Sequence, residues 1–269
     1  MRSFRARDTV FDRSIAIDAS TIDGITVTVA VTADRASELD VLDSIYTVGE
    51  DYDFYPFRDK SHDIEYNDRI ELFESVISDN THRLRATAHL GRDGSDPERV
   101  EAVQSAVLVN ELETTEALII LDGDDDKAKR FGHAITGISR SCPPVTTCIQ
   151  AELYYPTSLL ADLCASYLAH QIKHADHCYE VVPSAPITKD SFSRYWGKAY
   201  NAMVNSSGTV RIEAIEQCRA ETVRGRVNCW FDGQMGGGDP IEYDGSVRPI
   251  AEYVRGRGYD KLAMHLSQI

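Results

Sequence analysis

Five short segments of the chain are rich in apolar and β-branched residues, in patterns typical of β-strands. Residues 14–20 and 25–31 are separated by Asp23-Gly24, a tight-turn signal, and we expect these two segments to form a hairpin. The remaining strand-like segments are residues 83–90, 116–122 and 145–154. The pattern therefore predicts a sheet of five strands.

Apolar residues recur at helical spacing between the later strands. Residues 64–78 are amphipathic, and the helix predicted to run to about Glu113 follows a capping-box pattern from Ser95 to Glu98. Residues 124–130 fit a short polar helix or a loop, and a further helix begins at Pro156. From residue 14 onward the core elements thus follow the order of a three-strand meander and then α/β units.

The helix that begins at Pro156 carries one acid in an unusual place. Beside its apolar stripe runs a second line of positions that are all small except Asp162, namely Ser158, Asp162, Ala165, Ser166 and Ala169. Small side chains let a helix lie close to a sheet, so we expect Asp162 to be pressed against the strands. A carboxylate in such a place is costly unless it is paired or binds a metal.

Three further acids occupy positions that suit a shared site. Asp18 lies near the end of the first strand. Asp122 follows the continuous apolar run of the strand at residues 116–122, which is typical of a buried strand, and carboxylates at such strand ends are typical of α/β active sites. Glu101 lies one helical turn beyond Glu98, where no cap requires it. Each has a simpler interpretation, because Asp18 can begin a turn and exposed helical glutamates such as Glu101 are common. The run from Asp124 to Asp126 fits a solvated surface and a helix cap.

With this order of elements and these acids, the chain resembles the ribonuclease H-like superfamily over about residues 14–175. The segment Leu160-Ala161-Asp162-Leu163 is also similar to a motif in the last core helix of a microbial subfamily of such domains. The resemblance implies an α/β fold with a five-stranded mixed sheet flanked by helices. It further implies a cluster of carboxylates at the centre of the sheet that holds two divalent metal ions, with Asp18, Glu101, Asp122 and Asp162 at the matching elements.

The resemblance implies a metal-dependent nuclease that hydrolyses phosphodiester bonds in DNA or RNA. Asp18, Glu101, Asp122 and Asp162 would be both catalytic residues and ligands of Mg²⁺ or Mn²⁺, since these ions prefer oxygen ligands. The alternative is a catalytically inactive binding or assembly module with the same fold. A kinase-like relative is disfavoured, because no glycine-rich phosphate-binding loop joins the first two strands.

The predicted core spans residues 1–177 and contains an insertion at residues 34–81, within which residues 37–48 fit either a helix or a strand. Residues 181–186 resemble a linker, and we expect residues 178–269 to form a mainly helical C-terminal region. Within it, residues 187–205 combine basic and aromatic side chains. These either line a nucleic-acid groove by stacking and phosphate contact or pack against the core.

The composition is strongly acidic, with a formal net charge of -15. Lysine is rare, and aspartate outnumbers glutamate, which favours a halophilic source over an ordinary acidic cytoplasmic protein. At low salt such a surface repels phosphates, whereas at molar salt the Debye length falls to about 3 Å and net charge has little long-range effect. Contacts with nucleic acid would then be local, through arginines or metal ions.

Cysteine and histidine patterns add little chemistry. The 6 cysteines include no CxxC pair, and no apolar signal segment or membrane-length apolar run occurs, so we expect a cytoplasmic protein with reduced thiols. His170, His174, His177 and Cys178 have a spacing that can bind zinc, but no second ligand pair accompanies them. A polar helix end is the simpler interpretation.

Overall fold

The computed structural model describes residues 5–6, 9–90, 96–114, 117–139, 144–174, 189–205, 220–234 and 246–269. Several sequence-based expectations lie outside the described residues, namely those on Ser95, His177, Cys178 and the 181–186 linker.

The main sheet has the five predicted strands. They are β1 (Arg13–Ile22), β2 (Ile25–Asp34), β3 (Leu84–Leu90), β4 (Ala117–Asp122) and β5 (Val145–Cys148). Their order across the sheet is β3-β2-β1-β4-β5, with β2 antiparallel to both neighbours and β4 and β5 parallel to β1. The predicted mixed sheet, a meander followed by α/β units, is confirmed. A separate two-residue ladder pairs Arg5–Ala6 with Thr9–Val10.

Nine helices are described, and they include helices at all the positions predicted for the core. They are α1 (Glu38–Gly49), α2 (Tyr66–Asn80), α3 (Pro97–Asn110), α4 (Asp125–Thr136), α5 (Pro156–His174), α6 (Lys189–Asn205), α7 (Val223–Gln234), α8 (Arg248–Gly256) and α9 (Asp260–Leu266). Residues 37–48, which fitted either a helix or a strand, belong mostly to α1.

Helices cover both faces of the sheet. On one face, Val27, Val29 and Val31 of β2 pack in a cluster with apolar side chains of α1, α2 and α5. On the other face, Ile15 and Ile17 of β1 pack with side chains of α3, α4 and α6. Because β1 and β4 lie inside this three-layer structure, they are buried on both sides, as the continuous apolar run before Asp122 indicated.

The start of α3 differs from the predicted capping box. Asp96 is the N-cap, and its side chain accepts a hydrogen bond of 3.1 Å from the backbone N–H of Glu98. The Glu98 side chain is instead paired with Arg130 of α4 at 3.2 Å and is largely exposed. Asp96 takes the cap because Pro97 then occupies the first helical position, where its missing N–H costs nothing.

The fifth strand is shorter than predicted, since it ends at Cys148 and not at Tyr154. Gln150 adopts a left-handed backbone conformation with φ of 63°, and a short 3₁₀ helix spans Ala151–Leu153. The apolar residues of this segment therefore belong to a turn and not to a strand. The turn brings the backbone of Ala151 to the end of the neighbouring strand β4.

The described C-terminal helices α7, α8 and α9 pack against α1. Trp230 of α7 is fully buried in a cluster with Leu39, Leu42 and Tyr46 of α1. These contacts attach the end of the chain to the segment inserted between β2 and β3. The boundary between a core and a C-terminal region near residue 177 stays a prediction.

Two further expectations concern thiols and membranes. Cys148 and Cys164 are free and buried, but Cys229 takes part in a disulfide, so the expectation of reduced thiols throughout is wrong for this residue. In the described part of the chain, no helix is both long and apolar enough to cross a membrane.

Candidate functional site

Asp18 and Asp122 lie side by side, although β1 continues past Asp18 to Ile22. β1 and β4 run parallel, and Ile17 pairs with Leu121, so the next residues along the two strands, Asp18 and Asp122, reach the same edge of the sheet. This follows from the pattern of parallel strands, whose carboxyl ends meet at one edge. Both side chains are partly buried.

Asp162 reaches this region from α5, as the line of small residues predicted. Ala165 and Ala169, two members of that line, are fully buried where α5 packs against the sheet. The backbone N–H of Ser61, in the inserted segment, donates a hydrogen bond of 3.3 Å to Asp162 Oδ2. Burial raises the pKa of Asp162, while its hydrogen bonds with Ser61 lower it. The carboxyl group is thus held between α5 and a loop that the sequence did not connect with it.

Glu101 is held by a lysine. Its Oε1 atom lies 2.5 Å from Lys127 Nζ, and both side chains are less than one-fifth exposed. The same ammonium donates a hydrogen bond to the backbone carbonyl of Asp122. Gly123 gives the lysine stem its room, because a Cβ atom at this position would lie 2.7 Å from Lys127 Cδ. Lys127 is therefore part of the cluster, which the sequence did not indicate.

All four predicted acids interact electrostatically at one place. Burial raises the pKa of Asp18 well above its usual range; Lys127 opposes this shift, and Asp162, Asp122 and Glu101 each raise the pKa further. Among the described residues, the Asp18 carboxyl group makes no hydrogen bond or ion pair. Negative charge is therefore crowded around a carboxylate that has a positive neighbour but no direct partner.

The pKa of Asp122 is also raised. Burial, followed by the neighbouring charge of Glu152, raises its pKa to about 6. A hydrogen bond of 3.2 Å from the backbone N–H of Ala151 to Asp122 Oδ1 lowers the pKa but does not outweigh burial. The turn after β5 thus orients this carboxylate and adds a second acid beside it.

Glu152 is a site residue that the sequence analysis missed. It is 7% exposed, and its Oε1 atom lies 2.5 Å from Lys60 Nζ of the inserted segment. The prediction placed Glu152 inside a long fifth strand, which hid its position at the carboxyl edge of the sheet. Gln150, two residues earlier, adopts the left-handed conformation that ends the strand, but glutamine is not among the residues that favour it, so the sequence carried no turn signal here.

The donor chemistry of the cluster fits a hard divalent cation, since carboxylate oxygens are the ligands that Mg²⁺ and Mn²⁺ prefer. The raised pKa of Asp18 points the same way, because a cation there would relieve the crowding of negative charge. Three of the four acids, Asp18, Glu101 and Asp122, nevertheless already interact with the Lys127 ammonium. In the described ranges, no three His, Cys, Asp or Glu side chains converge closely enough to hold a metal ion.

The other candidate sites attract less support. His170 and His174 line a cleft of about 200 Å³ between α2 and α5 with Arg69 and Tyr167, and no third zinc ligand is found there among the described residues.

On α6, Trp196 and Tyr200 pack against the core formed with α3 and α4. Trp196 also stacks on His89 with ring centroids 4.9 Å apart. These contacts favour packing as the role of the α6 aromatics.

No protein-family model matches the sequence, and no curated protein matches it either. Among solved structures, ribonuclease H2 from Pyrococcus horikoshii OT3 is 17% identical, with a TM-score of 0.42, over 74% of this chain and 91% of that one. A point mutant of Bst-RNase HIII is 15% identical, with a TM-score of 0.41, over 62% of this chain and only 57% of that one.

A third solved structure, Bst-RNase HIII in complex with Mn²⁺, is 13% identical, with a TM-score of 0.40, over 74% of this chain and 71% of that one. Similarity at this level carries no argument about activity or metal ligands. The fold assignment rests on the strand order and directions of the sheet itself.

Proposed function

We propose that this protein is a divalent-metal-dependent nuclease, which hydrolyses phosphodiester bonds in DNA or RNA. One observation supports the proposal most strongly. Four acids from four separate elements, spread from residue 18 to residue 162, interact at the carboxyl edge of the central strands, where three of them raise the pKa of Asp18. So many carboxylates are costly to bury together unless a cation offsets their charge.

In this proposal Asp18, Glu101, Asp122 and Asp162 hold Mg²⁺ or Mn²⁺. When bound, two such ions supply the activation of water and the stabilisation of the leaving oxygen, so no side chain needs to act as nucleophile. The chain contributes orientation: the backbone N–H of Ser61 fixes Asp162 and that of Ala151 fixes Asp122. Partial burial excludes bulk water and strengthens each charge interaction.

An activity assay with matched variants tests the proposal. Single-stranded and duplex DNA, RNA and a hybrid duplex are incubated with the full chain and Mn²⁺ or Mg²⁺. We expect cleavage that falls at least about 100-fold in Asp18→Asn and Asp162→Asn, in line with the loss of metal-site groups. Glu98→Gln is the control, because Glu98 is an exposed acid one turn from Glu101 on the same helix. Cleavage equal in all variants, or absent from the wild type on every substrate, contradicts the proposal.

A second candidate function, an inactive binding or assembly module, is favoured by the ion pair between Lys127 and Glu101. A lysine that permanently replaces a metal ion would leave the fold intact and the chemistry absent. Calorimetric titration with Mn²⁺ discriminates the two functions. An inactive module binds no metal at the carboxylates, whereas the nuclease binds metal and loses that binding in Asp18→Asn.

A further inference from the structure

Lys127 is the cation that this carboxylate cluster already contains. Its ammonium contacts Glu101 Oε1 at 2.5 Å and the backbone carbonyl of Asp122, and its charge also acts on Asp18. Burial alone would lower the pKa of Lys127, but Glu101 and Asp18 raise it overall, so the side chain is charged at neutral pH. This one ammonium thus pairs directly with one proposed metal ligand, Glu101, and its charge acts on two others, Asp18 and Asp122.

The choice of lysine at this place is informative in so lysine-poor a chain. Only 7 of the 28 basic residues are lysines, yet two of them, Lys60 and Lys127, contact the acids of the cluster. Arginine would bind a carboxylate through a rigid planar fork, whereas lysine carries a compact charge on a flexible stem. A lysine can therefore occupy a cation site and leave it by rotation of its stem.

We infer that Lys127 is a built-in competitor of the divalent cation, which occupies the site in the metal-free protein and is displaced when a metal binds. The inference rests on the proposed function, because it takes the four acids as metal ligands. One ammonium leaves as a cation of twice its charge enters, so the Glu101 carboxylate exchanges a weaker partner for a stronger one, while the backbone carbonyl of Asp122 loses its ammonium partner. Each cation then reduces the occupancy of the other, as any two ligands that exclude each other must.

Binding of Mn²⁺ alone, measured on the full chain, tests this competition. The spectrum of free aqueous Mn²⁺, recorded by electron paramagnetic resonance, gives the bound fraction without any need for activity. We expect Lys127→Met and Lys127→Gln to bind Mn²⁺ about tenfold more tightly than the wild type or better, within the usual range of coupling between sites. Lys127→Arg, which keeps the charge, should bind no more tightly than the wild type.

Lys129→Met is the matched control. Lys129 lies on the same helix, and its Nζ atom pairs with Asp126 at 2.7 Å, but both side chains are more than half exposed. Its removal changes the net charge by the same amount as Lys127→Met without altering the cluster. We therefore expect Mn²⁺ affinity in Lys129→Met to match that of the wild type.

The possible outcomes separate this inference from the proposed function. Equal or weaker Mn²⁺ binding in Lys127→Met and Lys127→Gln overturns the competition, while wild-type binding that is lost in Asp18→Asn still supports the metal site. Absence of Mn²⁺ binding in every variant overturns the proposed function as well. Circular dichroism establishes that each variant is folded. Two neutral substitutions, Lys127→Met and Lys127→Gln, are used so that the comparison can still be made if one of them does not fold.

Thermal unfolding gives a second readout of the same competition. Without metal, Lys127→Met should melt at a lower temperature than the wild type, because its carboxylates lack their counter-charge. Added Mn²⁺ should raise its melting temperature by more than it raises that of the wild type, since at a fixed metal concentration a ligand that binds the folded state more tightly stabilises it more. An equal rise in both proteins contradicts the competition.

Discussion

Glu38 is a buried carboxyl group outside the candidate site, and it joins four elements. At the start of α1, its Oε1 atom accepts hydrogen bonds of 2.5 Å from Ser14 Oγ and 3.4 Å from Thr157 Oγ1, and the Trp230 indole lies beside it. It is 0% exposed. Burial raises the pKa of Glu38 to about 7, although the hydrogen bonds act in the opposite direction.

This raised pKa predicts a pH-dependent stability. Between about pH 4.5 and 7 the unfolded chain releases the Glu38 proton while the folded protein keeps it, so the free energy of unfolding falls as pH rises. The loss amounts to about 3 kcal/mol over that range. Glu38→Gln should lack this slope, so its stability relative to the wild type should increase with pH. Denaturant unfolding at several pH values measures the difference.

Glu111→Gln serves as the control for this series, because Glu111 is an exposed acid at the end of α3. Both variants replace one carboxyl group by an amide, so the comparison between them removes the general effect of losing one negative charge. A Glu38→Gln variant whose difference from the wild type follows that of Glu111→Gln at every pH would show that Glu38 is not a buried group with a raised pKa.

Individual residues differ in how far the sequence revealed them. Asp18 and Asp122 could be predicted because strand ends can be read from apolar runs. Asp162 could be predicted because an acid interrupts a line of small residues. Lys127 and Glu152 could not be predicted, since each is revealed only by a contact between segments far apart in the sequence. An ion pair between Lys127 and Glu101 depends on how α3 and α4 pack, which periodicity does not encode.

At the scale of elements, strong periodicity predicted well and short mixed segments did not. The five strands and the helices between them were confirmed, because their apolar faces repeat over many residues. The fifth strand was predicted to be too long, because the turn at Gln150, which has a left-handed backbone conformation, follows its actual end at Cys148. The insertion at 34–81 was the least readable part, yet through Ser61 and Lys60 it touches two acids of the cluster.

The whole molecule combines a sheet covered on both faces with a C-terminal set of helices attached through α1. Its acidic surface is a property of the entire chain, with 43 acidic residues against 28 basic ones. Mutual repulsion of these charges opposes the compact state and is screened as ionic strength rises. A composition of this kind is what led us to predict a halophilic source.

The acidic surface predicts that stability depends strongly on salt. We expect the melting temperature to rise steadily as KCl is increased from about 0.1 M to molar concentrations, where the Debye length falls to about 3 Å. Differential scanning calorimetry at fixed pH measures this, with equal osmolality of sucrose as the uncharged comparison. A melting temperature that does not change with KCl, or that rises as much with sucrose as with KCl, indicates an ordinary acidic protein and contradicts the prediction.

The proposed function requires that the acids at the carboxyl edge of β1 and β4 form a metal site. A crystal structure of the full chain, soaked with Mn²⁺ and recorded near the manganese absorption edge, tests this requirement. We expect anomalous peaks within bonding distance of Asp18, Asp122 and Asp162, about 4 Å apart if two ions bind, with the Lys127 ammonium moved away from Glu101. A map without a peak at these carboxylates, or with manganese bound only elsewhere, would contradict it.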